Sequence, residues 1–266
     1  MGHDVLLTIT VELRRIRARR HTPVLDAAIE VLLEEGRMLT TRLEAAGFSV
    51  DRPLTAAALS TSVRLRSDPS RAGGPAAART SLASSVGKGS LEWGPMAVTC
   101  SWNEARVDGA FHRSFYVGLW PLLPVGTDWL SPLLCGDSAT RTVTVVLEPV
   151  PLNRAAQDAN RQLTSIEADH QQKERHGFRL TARERRSQED VETRERELAA
   201  GHPEFRYVGL VTVTAATKAE LDDACALVEQ AAAQAMLDLR PLAARQVDGW
   251  VASLPLGRSV RSGGWR

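Results

Sequence analysis

The sequence predicts an α+β fold made of two pseudo-repeated halves, and three observations carry that expectation. First, the two ends of the chain follow one order: an alternating run, an amphipathic helix, an Arg-Pro-Leu step and a second helix. The order runs through Val5–Ile16, Thr22–Ala46 and Arg52-Pro53-Leu54, and again through Phe205–Ala216, Thr217–Met236 and Arg240-Pro241-Leu242. Second, Asp108-Gly109 sits between two alternating runs, as a two-residue hairpin turn does. Third, Asn153–Ala200 is a long helical stretch of dense, mixed charge.

Each element has a local reason. In the first run Val5, Leu7, Ile9, Val11 and Leu13 share a strand face, with Thr8, Thr10, Glu12 and Arg14 on the other. Thr22 is placed to cap the helix that follows, with Pro23 at its first position, where a missing N–H is harmless. Leu25, Ile29, Leu32 and Leu33 make its apolar stripe, and Gly47 is the expected stop. Residues 67–90 change character to Ser, Gly, Pro, Ala and Arg without aromatics, which reads as a flexible linker. Around Asp108-Gly109, pairing Val107 with Ala110 sets Glu104 opposite Arg113, Trp102 opposite Phe115, Cys100 opposite Val117 and Val98 opposite Leu119.

A short helix is expected from Thr127 to Gly136, and then a strand over Arg141–Val150 with Val143, Val145 and Leu147 inward. The stretch 153–200 breaks at Gly177 into two helices. Leu163 and Ile166 line the first, and Leu180, Val191 and Leu198 are the core candidates of the second, so a projecting charged helical hairpin is expected. In the closing strand Phe205, Tyr207, Val211 and Val213 share a face, and Thr217 with Glu220 forms a capping box. Leu221, Cys225 and Val228 line the next helix, and Val247, Trp250 and Val251 the last. The chain thus divides into a first β-α-β-α unit (1–66), the linker (67–90), the hairpin with a second β-α-β-α unit (91–257, helical hairpin at 153–200) and a loose tail (258–266). Helices are expected on one side of the sheets.

Composition narrows the function. The 266 residues hold 33 Lys+Arg against 32 Asp+Glu, a net charge of +1 that gives no global steering toward nucleic acid. Cys100, Cys135 and Cys225 are odd in number and far apart, and Cys100 and Cys225 fall in apolar patterns, so reduced thiols are expected. No apolar run approaches the ~20 residues of a membrane span.

Motifs for chemistry do not assemble. Val86-Gly87-Lys88-Gly89-Ser90 lacks the spacing of a phosphate-binding loop. The six histidines show no metal-ligand spacing, and His170 and His176 lie on different helix faces. Asp222-Asp223 and Glu34-Glu35 are neighbours that point apart on a helix. The expectation is therefore no catalytic, cofactor-binding or metal-ligating residue, and no cofactor. The basic cluster Arg14–Arg20 keeps a nucleic-acid-binding module open as an alternative, although it has no interleaved aromatics. Trp93, Trp102, Trp120, Trp129 and Trp250 are expected mainly in cores, with a partner-facing platform around Trp120-Pro121 and Trp129 as the other reading.

Three stretches carry a family resemblance. They are Ser114–Pro121 with Trp129–Leu134, then Arg141-Thr142-Val143 through Glu148-Pro149-Val150-Pro151 with the charged helical pair, and Phe205–Thr214 with Ala252–Gly257. Together they resemble the cytosolic part of an actinobacterial integral-membrane family associated with conjugation and type IV secretion. That family is similar to the non-ATPase N-terminal domain of type IV secretion ATPases of the VirB/TrbE/CagE class. The resemblance implies ferredoxin-like βαβ elements. It also implies a non-catalytic structural or interaction component at the cytoplasmic face of the plasma membrane. Its expected partners are a motor ATPase and a small membrane subunit, with membrane association through a segment missing from this chain and with homo-oligomerisation left open. The family's motor is not matched, so ATP hydrolysis is not implied.

Overall fold

A computed structural model describes residues 5–10, 16, 23–69, 95–121, 123–136, 139–175 and 182–260. The expected linker from residue 70, the Val86–Ser90 run, Thr22, Gly177, Leu180, the tail from 261 and, apart from Ile16, the Arg14–Arg20 cluster lie outside these residues. The fold is α+β, and the chain divides into two compact units, Met1–Thr144 with Gly209–Arg266, and Val145–Val208.

The elements in chain order are α1 (Val24–Ala45), α2 (Ala56–Ser67), β1 (Val98–Cys100), β2 (Ala105–Val107), β3 (Ala110–Leu119), α3 (Ser131–Cys135), β4 (Thr140–Val150), α4 (Leu152–Arg175), α5 (Ala182–Ala199), β5 (Glu204–Ala215), α6 (Lys218–Gln234), β6 (Asp238–Pro241) and α7 (Gln246–Ser253). The strands form one sheet in the order β1-β2-β3-β5-β4, with β6 also paired to β3.

In the first unit β3 is the hub. It pairs antiparallel with β5 along one edge, Phe111 opposite Ala215 through Tyr116 opposite Leu210. Its other edge is shared end to end by two short strands. β2 takes Ala110–His112, and β6 takes Phe115–Leu119. The hairpin expected from Asp108-Gly109 therefore starts as read, with Val107 opposite Ala110, but it does not continue. The segment before β2 folds back instead: Val98 pairs with Val107 and Cys100 with Ala105. A tight turn drives this, in which both Ser101 N and Ser101 Oγ donate to Glu104 O. The edge that register arithmetic assigned to Trp102, Cys100 and Val98 belongs to β6. Trp102 is accordingly 69% exposed, and Cys100, expected inside, is exposed as well.

Helices cover the central strands on both faces, not on one side. Odd positions of β3 and β5 (Phe115, Val211 and Val213) meet Leu221, Cys225 and Val228 of α6 and Leu133 of α3. Trp120 and Trp129 pack edge to face, 6.4 Å apart, at the border of this core. On the other side Val107 meets Val63 of α2 and Trp250 and Leu254 at the end of α7, backed by Val247 and Val251.

The N-terminal half of the expected repeat is only partly formed. α1 and α2 are present, but residues 5–10 are not in a strand, and Val5 and Leu7 are exposed. Thr10 lies against Gly257, whose φ of +62° no side chain favours. Pro23, expected one place inside α1, is its N-cap.

The helix ends follow local rules. Thr217 Oγ1 accepts from Glu220 N while the Glu220 carboxylate accepts from Thr217 N, which completes the capping box. α1 closes with Gly47 at φ +88°, Phe48 N donating to Leu43 O and Gly47 N to Glu44 O. α6 closes by the same pair of bonds, from Leu237 N to Ala232 O and from Met236 N to Ala233 O, but there the left-handed residue is Met236, at φ +56°.

In the second unit α4 and α5 lie against the β4–β5 ribbon. Val150, Ala155, Ala159 and Leu198 form its small core. Glu204 accepts from both Nε and Nη2 of Arg194, and Arg206 Nη2 donates to Asp158. Val150, Glu204 and Arg206 are even positions facing the helices. Val145 and Leu147, expected inward, sit at odd positions on the opposite face and are exposed.

Two substitutions test this packing. Met236→Gly removes the left-handed strain at an exposed position and should raise stability by about 0.5–1 kcal/mol, read by urea unfolding. Gly249→Ala should lower it by about 2 kcal/mol although alanine is the better helix former. The reason is that an added Cβ would come 2.5 Å from both Ser114 Cβ and Leu242 Cδ1.

Candidate functional site

The densest set of buried polar groups lies between β3, β5 and α7, on the face away from α6. Strand alternation places His112 and Ser114 of β3 beside Thr212 and Thr214 of β5. All four point to the side where α7 packs. Ser114 and Gln246 are fully buried and His112 is 1% exposed.

Gln246 opens α7, and its carboxamide behaves like a strand residue. Oε1 accepts from Ser114 N at 2.7 Å, and Nε2 donates to Ser114 O at 3.4 Å and to Leu242 O at 3.1 Å. Leu242 N donates to the same Ser114 carbonyl at 2.9 Å. Ser114 sits where β2 has ended and β6 has not begun, so the side chain fills the gap in the ladder. Without it a buried N–H would have no acceptor. Ser114 Oγ lies 3.0 Å from Thr212 Oγ1.

His112 bonds at both ring nitrogens. Nε2 is 3.0 Å from Ser67 O at the end of α2, and Nδ1 is 2.9 Å from Thr214 Oγ1. A carbonyl only accepts, so Nε2 carries the proton and Nδ1 accepts from the threonine. The ring tilts against Trp250, 5.8 Å away. Burial, which disfavours the cation, outweighs the Ser67 bond and the nearby Asp68 carboxylate and lowers the imidazole to about 4. Trp250 Nε1 is buried and has no hydrogen-bond partner among the described residues.

A second polar set lies on the other face. Arg113 Nη2 donates to Asp222 at 2.7 Å, its Nε donates to Asn103 O, and Glu104 lies 3.6 Å away. Lys218 pairs with Glu104 at 3.0 Å. This network fixes the β1–β2 turn to the start of α6. Burial pushes the Cys225 thiol beneath it up to about 11, against the pull of Arg113, so at neutral pH the sulfur is a protonated core atom and a poor nucleophile.

The chemistry of the seam is that of a joint. The bonds of His112 and Ser114 run to different threonines and not to each other; the one hydroxyl on the imidazole is that of Thr214, and the other ring nitrogen is held by Ser67 O. No cluster of three or more His, Cys, Asp or Glu residues that could hold a metal occurs among the described residues. Asp222 and Asp223 do not work together: Asp222 is engaged by Arg113, and Asp223 is exposed beside it on α6. Sequence reasoning missed Gln246 altogether and read nothing from His112 beyond the lack of metal-ligand spacing among the histidines. The available signal was alternation, which puts His112 and Ser114 in register with the inward-facing Ala110.

No helix among the described residues is long and apolar enough to cross a membrane. No protein-family model matches the chain, and a search of curated proteins finds none similar to it.

Two measurements test the joint. Gln246→Ala leaves Ser114 N unsatisfied and should cost about 2–4 kcal/mol in urea unfolding. His112 gives stability a pH dependence. The unfolded ring takes its proton near pH 6.5 and the folded ring only near 4, so the contribution is complete above 6.5 and falls as pH drops toward 4. The difference between pH 7 and pH 4, on the order of 3 kcal/mol, should vanish from the His112→Asn variant's profile.

Proposed function

We propose that the chain is a non-catalytic structural and interaction component of a type IV secretion-like conjugation apparatus. It works at the cytoplasmic face of the plasma membrane, beside a motor ATPase and a small membrane subunit. One observation supports an interaction role above the others. In the second unit Val145, Leu147, Phe205 and Tyr207 stand on the face of the β4–β5 ribbon turned away from α4 and α5, each between 48% and 60% exposed. An apolar patch of this kind, backed by a braced helix pair, suits a protein partner. The inward-directed bonds of the His112–Ser114–Gln246 seam are consistent with a scaffold. The assignment to a secretion apparatus, its location and its named partners rest on the resemblance of Ser114–Pro121, Arg141–Pro151 and Phe205–Thr214 to that family. The same reading takes the chain's ends as ferredoxin-like pseudo-repeats, supported by the order β5, α6, β6, α7. It requires Val5–Ile16 to pair as a strand, which NMR cross-strand contacts would reveal and whose absence would leave the C-terminal half alone.

Deleting the gene should reduce plasmid transfer between cells at least tenfold, and Leu147→Asp with Phe205→Asp should reproduce the loss in a folded protein. Normal transfer by the deletion strain defeats the assignment. ATP turnover by the purified chain that persists through repurification defeats the non-catalytic role.

A further inference from the structure

α1 is a 22-residue amphipathic helix with Ala28 as its one buried residue. Leu25, Ile29 and Leu33 are 62%, 46% and 56% exposed along its apolar face, and Val24 continues the patch. Leu25, Leu32 and Leu39 recur every seven residues, as do Ile29, Gly36 and Leu43, which is the spacing of a two-helix seam with a glycine at its centre. Among the described residues nothing packs against Gly36. Its φ is not positive, and a Cβ built there meets nothing within 4 Å. A mid-helix glycine weakens a helix, and what it offers in return is close approach of another backbone.

Charge selects the occupant and its direction. The half before Gly36 holds Asp26, Glu30, Glu34 and Glu35 and no base. The half after it holds Arg37, Arg42 and Glu44. Arg37 pairs with Glu34 of its own helix at 3.1 Å, so the second half is only weakly basic. A second α1 laid antiparallel still sets each acidic half against the half that carries the arginines, whereas a parallel copy would set acid against acid. We infer that α1 pairs with α1 of a second copy of this chain, antiparallel and crossing at Gly36. The pairing goes beyond the proposed secretion role and does not depend on it.

Sedimentation equilibrium of the full chain, from low to high micromolar, tests this. A monomer–dimer equilibrium is expected. Leu25→Asp with Ile29→Asp should abolish it while leaving the unfolding midpoint of the sheet unchanged. Gly36→Ala improves the helix and yet should weaken pairing at least tenfold. Glu35→Arg should weaken it too, and adding Arg42→Glu should restore it, because those positions lie on the same flank of opposed helices. A monomer at every concentration overturns the proposal, whether or not α1 then binds lipid vesicles. So does a Gly36→Ala variant that pairs as well as or better than the parent, and failure of the double charge swap overturns the antiparallel arrangement.

Discussion

A gap in a hydrogen-bond ladder constrains the first unit more than any other feature. β3 is ten residues long, but β2 and β6 are three and four, and they meet its edge with Ser114 between them. A buried backbone N–H must find an acceptor, and only a side chain arriving from another element can supply one there. Gln246 does so, and much follows from its position. α7 must start beside Leu242, its axis must run close over β3, and Gly249 must be a glycine where the helix passes Ser114. The same approach closes the space above His112, which makes the imidazole neutral and ties the end of α2 to the sheet.

Polar and apolar packing divide the labour between the two faces of the central sheet. The face under α6 is held mainly by apolar area, with Phe115, Val211, Val213, Leu221 and Val228 in mutual contact and the Arg113–Glu104–Asp222–Lys218 network at its rim. The face under α7 combines a small apolar cluster with directional bonds. Directional bonds specify register better than area does, because each fails if the partner shifts by one residue. The second unit shows the same economy on less material. α5 is almost wholly charged, so small buried alanines on α4 allow a close fit, and Arg194–Glu204 and Arg206–Asp158 set the alignment.

Legibility of the sequence tracked the range of the interaction. The Thr217 capping box, the Gly47 stop, the Asp108-Gly109 turn and the helical pair on either side of residues 176–181 are local and were readable. The register beyond Arg113 was not. Pairing Trp102 with Phe115 satisfied every local criterion, yet β6, more than a hundred residues later, competes better for that edge. Val145 and Leu147 misled for a related reason: alternation tells which residues share a face but not which face is covered. Of the buried seam, alternation revealed that His112 and Ser114 point the same way, and nothing local revealed Gln246.

By itself the sequence determined the α+β class, the positions of most helices, the Thr217 cap, the Gly47 stop and the turn that starts β3, because those depend on contacts within a few residues. Tertiary structure alone decided which strands flank β3, which faces are covered, that Cys100 and Trp102 lie outside and that His112 is neutral. Each of those outcomes is a contest between distant segments for one edge or one surface, and the winner depends on what the whole chain can bring there.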